Sequence, residues 1–307
     1  MAAPSSLRTL NRRAGRNAQI GLLLLPGLAF FCLFTLYPIG KLLVMSFFDW
    51  KIGIGQTSAF VGLQNYRAVV GDATFRTALV NTLLYGLITV PGQMALGLWA
   101  AYGIHSLKKF QIPFRLVYYL PVITSWVIVS LVFKYLFNNE GILNYLLTDV
   151  LRLTGVPIRW LDKRWTGLAV AACLGIWKGV GWNMVVFLAA LQGVPHEYYE
   201  ASAIDGCNRW KQFWKITLPS IRGTVLFALV MLTIGAFNVY TSIKLITDGR
   251  PAHQTEVVLT WMYYQAFSAR NMGYAAALSY IVAMIIAALA VLQFRFLGGE
   301  REGGRRL

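Results

Sequence analysis

Residues 195–219 read PHEYYEASAIDGCNRWKQFWKITLP, a polar stretch set between two long apolar runs. It carries Glu197, Glu200, Asp205, Arg209, Lys211 and Lys215, whereas its flanks carry almost no charge. Two short helices can be read in it. The first spans roughly Pro195 to Ile204, with proline at an early helical position where its missing N–H costs little. Asp205-Gly206 ends it, because glycine takes up the positive φ that closes a helix. The second spans about Asn208 to Thr217, with Trp210, Phe213, Trp214 and Ile216 around Lys211 and Lys215. Pro219 is expected to stop it. A helix–glycine–helix elbow on a membrane surface projects as a knob, and a knob implies a socket on a partner.

The membrane follows from composition. The 307 residues are 57% hydrophobic and 13% charged, where a soluble domain carries about 25% charged residues. The chain is therefore read as a multi-pass membrane protein. Six spans are expected: Ile20 to Leu36, Leu79 to Ile104 with an interruption at Pro91-Gly92, Leu116 to Phe137, Trp165 to Leu191, Val225 to Ile243, and Tyr274 to Phe294. A basic N-terminal segment (1–19), a transmembrane domain (20–297) and a short tail (298–307) make up the chain. The first apolar run follows arginines, as a signal peptide would. Its length and the absence of a small-residue cleavage pattern before Tyr37-Pro38 favour an uncleaved span.

The net charge of +16 would point to nucleic acid in a soluble protein. Here the basic residues flank apolar spans, so membrane lipid is the expected partner and nucleic acid is not. Six spans place both termini on one side. With that side inside, the short inner segments hold Arg8, Arg12, Arg13 and Arg16, then Lys108, Lys109 and Arg115, then Arg209, Lys211, Lys215 and Arg222, then Arg295, Arg301, Arg305 and Arg306. These are 15 of the 28 Lys and Arg. The bias places both termini and the elbow in the cytoplasm.

Several chemistries have no foothold. There is no P-loop, no G-x-S-x-G, no H-E-x-x-H and no pair of intramembrane carboxylates. Three scattered cysteines give neither metal-ligand spacing nor a disulfide framework. No catalytic residue, metal site or bound cofactor is expected, and the chain is not read as an enzyme. Polar groups inside spans are costly and should face the bundle or water. The fourth span reads WKGVGWN over 177–183 and the fifth carries FNVY over 237–240. Lys178, Trp182, Asn183, Phe237, Asn238 and Tyr240 are therefore the candidates for a solute pathway. Aromatic faces with amide hydrogen bonds suit a sugar ring, and Lys178 suits a phosphate.

Glu200-Ala201-Ser202, three residues, Gly206, nine residues, then Ile216-x-Leu218-Pro219 resembles the EAA loop of ABC importer permeases, with Ser202 where alanine is usual. Three further stretches resemble the sugar-type branch of that family, the maltose/glycerol-3-phosphate-type permeases. They are FVGLQNY over 60–66, YYLP over 118–121, and LITDGRPAHQT over 245–255, where Arg250 replaces the usual second glycine. The resemblance implies an all-α, polytopic type I permease of six transmembrane helices with a cytoplasmic coupling helix. It implies a bacterial or archaeal cell membrane, a second similar permease subunit, two ATPase subunits that carry ATP and Mg, and an external solute-binding protein. Glu200, Ala201, Ser202, Gly206, Ile216, Leu218 and Pro219 would then couple to the ATPase. The function implied is half of a translocation pathway for a sugar or related polar solute. The alternative is a standalone secondary transporter or channel for a small polar solute, against which the elbow and the lack of buried acids argue.

Overall fold

The computed structural model describes residues 19–51, 53, 57–107 and 109–298. The expected basic segment up to residue 18, the tail from residue 299 and Lys108 lie outside the described residues. Among the described residues five helices are long and apolar enough to cross a membrane, or six if a pair bent through 90° counts as one span.

Helix α1 (Gln19–Ser46) is apolar on all sides and none of its most hydropathic window is buried. It runs ten residues past the expected end at Leu36. A π turn (Cys32–Leu36) resets its hydrogen-bond ladder, so Pro38 falls at the opening of a new turn, where no N–H is needed. A two-residue hairpin follows, β1 (Phe48–Asp49) pairing antiparallel with β2 (Ala59–Phe60), then α2 (Gln64–Gly71). The FVGLQNY stretch is the clasp here. Gly62 turns with φ +56°. Asn65 Nδ2 donates to the carbonyls of Ser46 at 2.9 Å and Phe48 at 3.0 Å. That ties the end of α1 to the hairpin.

Helix α3 (Ala73–Ser106) is a single 34-residue rod. Pro91 does not interrupt it as expected; it sits inside the helix. One missing N–H in so long a ladder is outweighed by packing along its whole length. The expected third span is broken instead, into α4 (Gln111–Ile123) and α5 (Trp126–Leu136). A short α6 (Ile142–Tyr145), prolonged by a π turn (Leu146–Val150), lies in the following loop. Helix α7 (Arg164–Gln192) pairs along α3 in the most extensive contact of the bundle.

The elbow consists of α8 (His196–Ile204) and α9, which begins at Arg209–Gln212 and continues through a π turn (Phe213–Thr217) into Leu218–Ser220. Pro195 is the N-cap of α8 rather than a helical residue. Pro219 does not stop α9, because the π turn again puts proline where the ladder restarts. The expected fifth span is two helices, α10 (Arg222–Phe237) and α11 (Thr241–Ile246), parted at Asn238–Tyr240. Helix α12 (Val258–Tyr263, with a π turn at Tyr264–Ser268) and α13 (Met272–Gly298) complete the chain.

Between α11 and α12 the chain dips back into the bundle. Asn81, nine residues into α3 and fully buried, donates to the carbonyls of Gln254 at 2.8 Å and Glu256 at 2.6 Å. Arg164 Nε holds the Asn81 carbonyl oxygen at 2.9 Å. Irregular backbone at such depth needs protein partners for its polar groups, and this asparagine supplies them. Arg250 needs no left-handed backbone, since the positive φ values of this loop fall on Asp248, Gly249, Ala252 and His253.

Asp72 organises the hairpin end of the bundle. It caps α3 by accepting from the Thr74 amide at 2.7 Å, and its other oxygen accepts from Trp261 Nε1 at 2.9 Å and from the Tyr274 hydroxyl. Partial burial pushes its pKa up, but these bonds outweigh it and the carboxyl lies below its ordinary 3.8. A depressed pKa contributes stability above the unfolded value that disappears as pH falls through the folded one. Hydrogen exchange at 72–78 and 258–262 should therefore be flat from neutral pH to about pH 4, once corrected for intrinsic rates, and lose protection below that. Asp72→Asn, which caps α3 as well as aspartate does, should lose protection at neutral pH as well, by about 1 kcal/mol, because Trp261 and Tyr274 lose a charged acceptor. Equal protection in both proteins would refute the role.

Candidate functional site

Tyr85, Thr89 and Gln93 recur every four residues on α3, so they share one face. Opposite them on α7 stand Gly175 and Gly179, also four apart. A Cβ on Gly175 would overlap the Tyr85 hydroxyl and one on Gly179 would overlap the Gln93 amide. A polar stripe thus packs on a glycine stripe, and the Tyr85 and Gln93 side chains fill the space that side chains on those glycines would need. Beside them lies a cavity of about 400 Å³, closed by Trp126 from α5 and by Asn238 and Tyr240 from the α10–α11 break. Thr89 lies about 25 Å from either end of α3 at 1.5 Å per residue, so the cavity is at mid-height.

Of the six residues expected to line a pathway, the structure brings Asn238 and Tyr240 to this cavity. Asn238 is exposed there and donates Nδ2 to the Ile234 carbonyl at 2.9 Å, which leaves its carbonyl oxygen for a solute. Trp182 lies lower on α7 against Phe227, with ring centroids 6.5 Å apart. Asn183 is buried where α7 crosses Gly97, and Phe237 packs in the apolar cluster with Val258 and Tyr274. Tyr85, Thr89, Gln93 and Trp126 were missed by the sequence reading. The four-residue spacing of the first three was the signal available for them.

Lys178 does not open on the cavity. It is 4% exposed, and its ammonium donates to the carbonyls of Thr124 at 2.6 Å, Pro121 at 2.7 Å and Val122 at 3.3 Å. Those carbonyls end α4, where the helix dipole favours a cation. The same ammonium sits 5.0 Å from the centre of the Trp126 ring. Lys178 therefore holds the 90° bend and sets Trp126, a cavity wall, in place; a free phosphate partner finds its donors already used.

The elbow is a rigid unit. The Gly206 amide bonds the Ala203 carbonyl at 3.1 Å and the Cys207 amide bonds the Ser202 carbonyl at 2.9 Å. That is the Schellman closure, and it needs the positive φ of +75° that Gly206 adopts. Asn208 caps α9, its Oδ1 accepting from the Lys211 amide at 2.9 Å. Ser202, which replaces the usual small alanine, is buried and polar with purpose. Its hydroxyl donates to the Tyr199 carbonyl at 2.9 Å and accepts from Gln212 Nε2 at 3.0 Å, binding α8 to α9. Tyr199 and Thr217 hydroxyls meet at 3.0 Å across the same seam.

The family described as the inner membrane component of binding-protein-dependent transport systems matches residues 93–297. The chain belongs to this family. The permease is 33% identical over 284 residues to a probable ABC transporter permease, YurN of Bacillus subtilis (strain 168), covering 92% of this chain and 96% of that one. It is 32% identical over 282 residues to the lactose transport system permease LacF of Rhizobium radiobacter, covering 90% and 93%. In three dimensions the permease matches a chain of the crystal structure of a bacterial ABC transporter that imports the acidic polysaccharide alginate. The TM-score is 0.82 at 22% identity, over 96% of this chain and all of that one. The permease is thus a transport component of an ABC importer rather than an enzyme, and it carries the apolar helices of a membrane protein.

Within the permease, Glu200, Ala201, Gly206 and Pro219 are exposed, Ile216 and Leu218 are half-buried, and Ser202 is buried. Tyr198, Ala201 and Ile204 recur every three residues on the outward side of α8, with Ile204 88% exposed. The ends of the elbow lead straight to the cavity. Helix α7, which carries Gly175 and Gly179, leads into α8, and α9 leads into α10, which ends at Phe237 just before Asn238.

Proposed function

We propose that the permease forms half of the translocation pathway of an ATP-driven importer for a sugar or related polar solute, paired with a second similar permease. The elbow and both termini face the cytoplasm, where the Tyr198–Ala201–Ile204 face of α8 seats in a cleft of one of two ATPase subunits. ATP and Mg belong to those subunits. An external binding protein delivers solute at the opposite, hairpin end. One observation carries this reading: two of the helices that bound the mid-height cavity, α7 and α10, are the two that the elbow joins. A push on the elbow moves two walls of the cavity together, which is how a separate motor shifts the population between inward- and outward-open states.

The cavity chemistry supports a polyhydroxylated solute. Trp126 and Tyr240 offer flat apolar faces, while Gln93, Thr89 and Asn238 offer donors and acceptors. Relatives with printed substrates include lactose and arabinooligosaccharide permeases, and a solved relative is complexed with a periplasmic protein loaded with alginate pentasaccharide. The reading is tested by reconstituting both permeases with the ATPase and the binding protein and measuring ATP-dependent sugar uptake into the vesicle. Uptake by this chain alone, without ATPase, would favour a standalone carrier instead. Asn238→Ala should raise the half-saturating sugar concentration roughly tenfold for the loss of one or two hydrogen bonds. Trp182→Ala, outside the cavity, should have the smaller effect. Equal effects would place the solute lower on α7 than the cavity.

A further inference from the structure

The aromatic residues of α12 divide into two groups. Trp261 and Tyr264 are used internally: they stack at 5.1 Å and 10°, His253 lies against both, and Trp261 bonds Asp72. Tyr263 and Phe267 face elsewhere and belong to none of the buried clusters. Tyr263 is 43% exposed and Phe267 61%. Their rings lie 4.7 Å apart, and Tyr263 lies 5.1 Å from Tyr240, which lines the cavity. The three rings therefore form one continuous line that starts in the cavity wall.

The line also has a direction. Helix α12 begins deep, where the Val258 amide donates to the buried Thr82 hydroxyl, and by Trp261 it has risen to Asp72 at the first turn of α3. Phe267 stands beyond that, next to the turn that opens α13. From Tyr240 to Phe267 the rings thus climb from mid-height to the hairpin end of the bundle. Flat aromatic faces carry a negative quadrupole and attract polarised C–H groups. The apolar faces of a pyranose ring present such groups, and they stack without requiring any particular hydroxyl pattern. Polar residues in the cavity would discriminate; the aromatic line outside it would only hold.

Resting on the sugar reading given above, we propose that Tyr240, Tyr263 and Phe267 form a stacking track for an oligosaccharide of two or more pyranose rings. One ring sits in the cavity while the next ring or rings lie on Tyr263 and Phe267. The substrate class is then oligosaccharide rather than monosaccharide, because a single ring seated in the cavity gains nothing from rings outside it.

The test is uptake by the complete importer, reconstituted with its ATPase and binding protein, with glucose, galactose, lactose, maltose and raffinose as probes. Tyr263→Leu and Phe267→Leu keep apolar bulk and remove the flat ring. Each should lower uptake of the transported di- or trisaccharide at least tenfold below saturation and slow any monosaccharide uptake less than twofold. Tyr263→Phe and Phe267→Trp should restore transport, which separates stacking from a folding defect; size-exclusion profiles of the variant complexes check the same point. Tyr240→Ala should lower uptake of every transported sugar. Unchanged oligosaccharide uptake in the leucine variants, an equal loss for all sugars, or wild-type uptake of monosaccharides alone overturns the track while leaving the importer reading standing. Uptake of no sugar by the wild-type complex overturns the sugar reading itself and the track with it.

Discussion

Lys178→Met is expected to destabilise the permease by about 3 kcal/mol or more. Three carbonyls at the end of α4 depend on one ammonium, and hydrogen bonds to a charged group contribute about 1.5–3 kcal/mol each. Removing the donor leaves those carbonyls inside the bundle with no replacement, and methionine fills the volume without satisfying them. Trp126 loses its cation at the same time, so the wall it forms loosens. The measurement is thermal unfolding of the solubilised protein, followed by loss of the monodisperse size-exclusion peak. The midpoint should fall by several degrees, and uptake by the surviving fraction should fall further than its amount. Lys178→Arg should recover only part of the loss, because a planar guanidinium directs its donors in a fork and the three carbonyls converge on a point. An unchanged midpoint in Lys178→Met would mean that water enters the bend and replaces the ammonium.

Gly206→Pro is expected to uncouple the importer while leaving it assembled. The elbow closes through a residue at φ +75°, and proline is held near −65° and has no N–H to give to the Ala203 carbonyl. Helices α8 and α9 would no longer meet at their present angle, although each keeps its own turns. Stimulation of ATP hydrolysis by the loaded binding protein should drop at least tenfold, with basal hydrolysis and membrane insertion retained. Gly206→Ala should be milder, costing about 1–2 kcal/mol for a left-handed non-glycine residue. Glu200→Lys should give the same uncoupling without a backbone change. Glu200 is exposed, and its pairing with His196 at 3.0 Å is on the surface, so the carboxylate is available to a docking partner. Wild-type stimulation in both Gly206→Pro and Glu200→Lys would remove the elbow from the coupling path.

The two variants probe opposite kinds of residue. Lys178 is expensive because it is enclosed, and its loss is felt as stability. Gly206 is exposed and touches nothing with a side chain, so its loss is felt as mechanics. Ser202 lies between them. Its hydroxyl ties α8 to α9 through Gln212, which explains why a buried polar residue stands where alanine serves in the resembled motif.

Much of this molecule was legible from residue order alone, for reasons particular to membranes. Lipid offers no hydrogen bonds, so a crossing segment must be an apolar helix, and such runs announce themselves in sequence. The apolar spans, the elbow and the glycine that closes α8 follow from that and from local turn chemistry. Where helices break was not legible. Pro91 sits in an unbroken rod while the chain bends at Thr124-Ser125 and at Asn238–Tyr240. A proline marks a place where a helix is weakened, but whether it breaks depends on what lies alongside to receive the freed carbonyls. Lys178, fifty-four residues from Thr124 along the chain, is that receiver.

Residue order by itself determined the class of the protein, its apolar spans and the position of its elbow, because each depends on groups within a few turns of one another. The cavity was decided only by tertiary structure. Its walls come from α3, α5, α7, α10 and the α10–α11 break, with Tyr85 and Gln93 seated directly on Gly175 and Gly179 across a helix pair. No local propensity encodes an empty space between two rods; it arises from the register in which they pack.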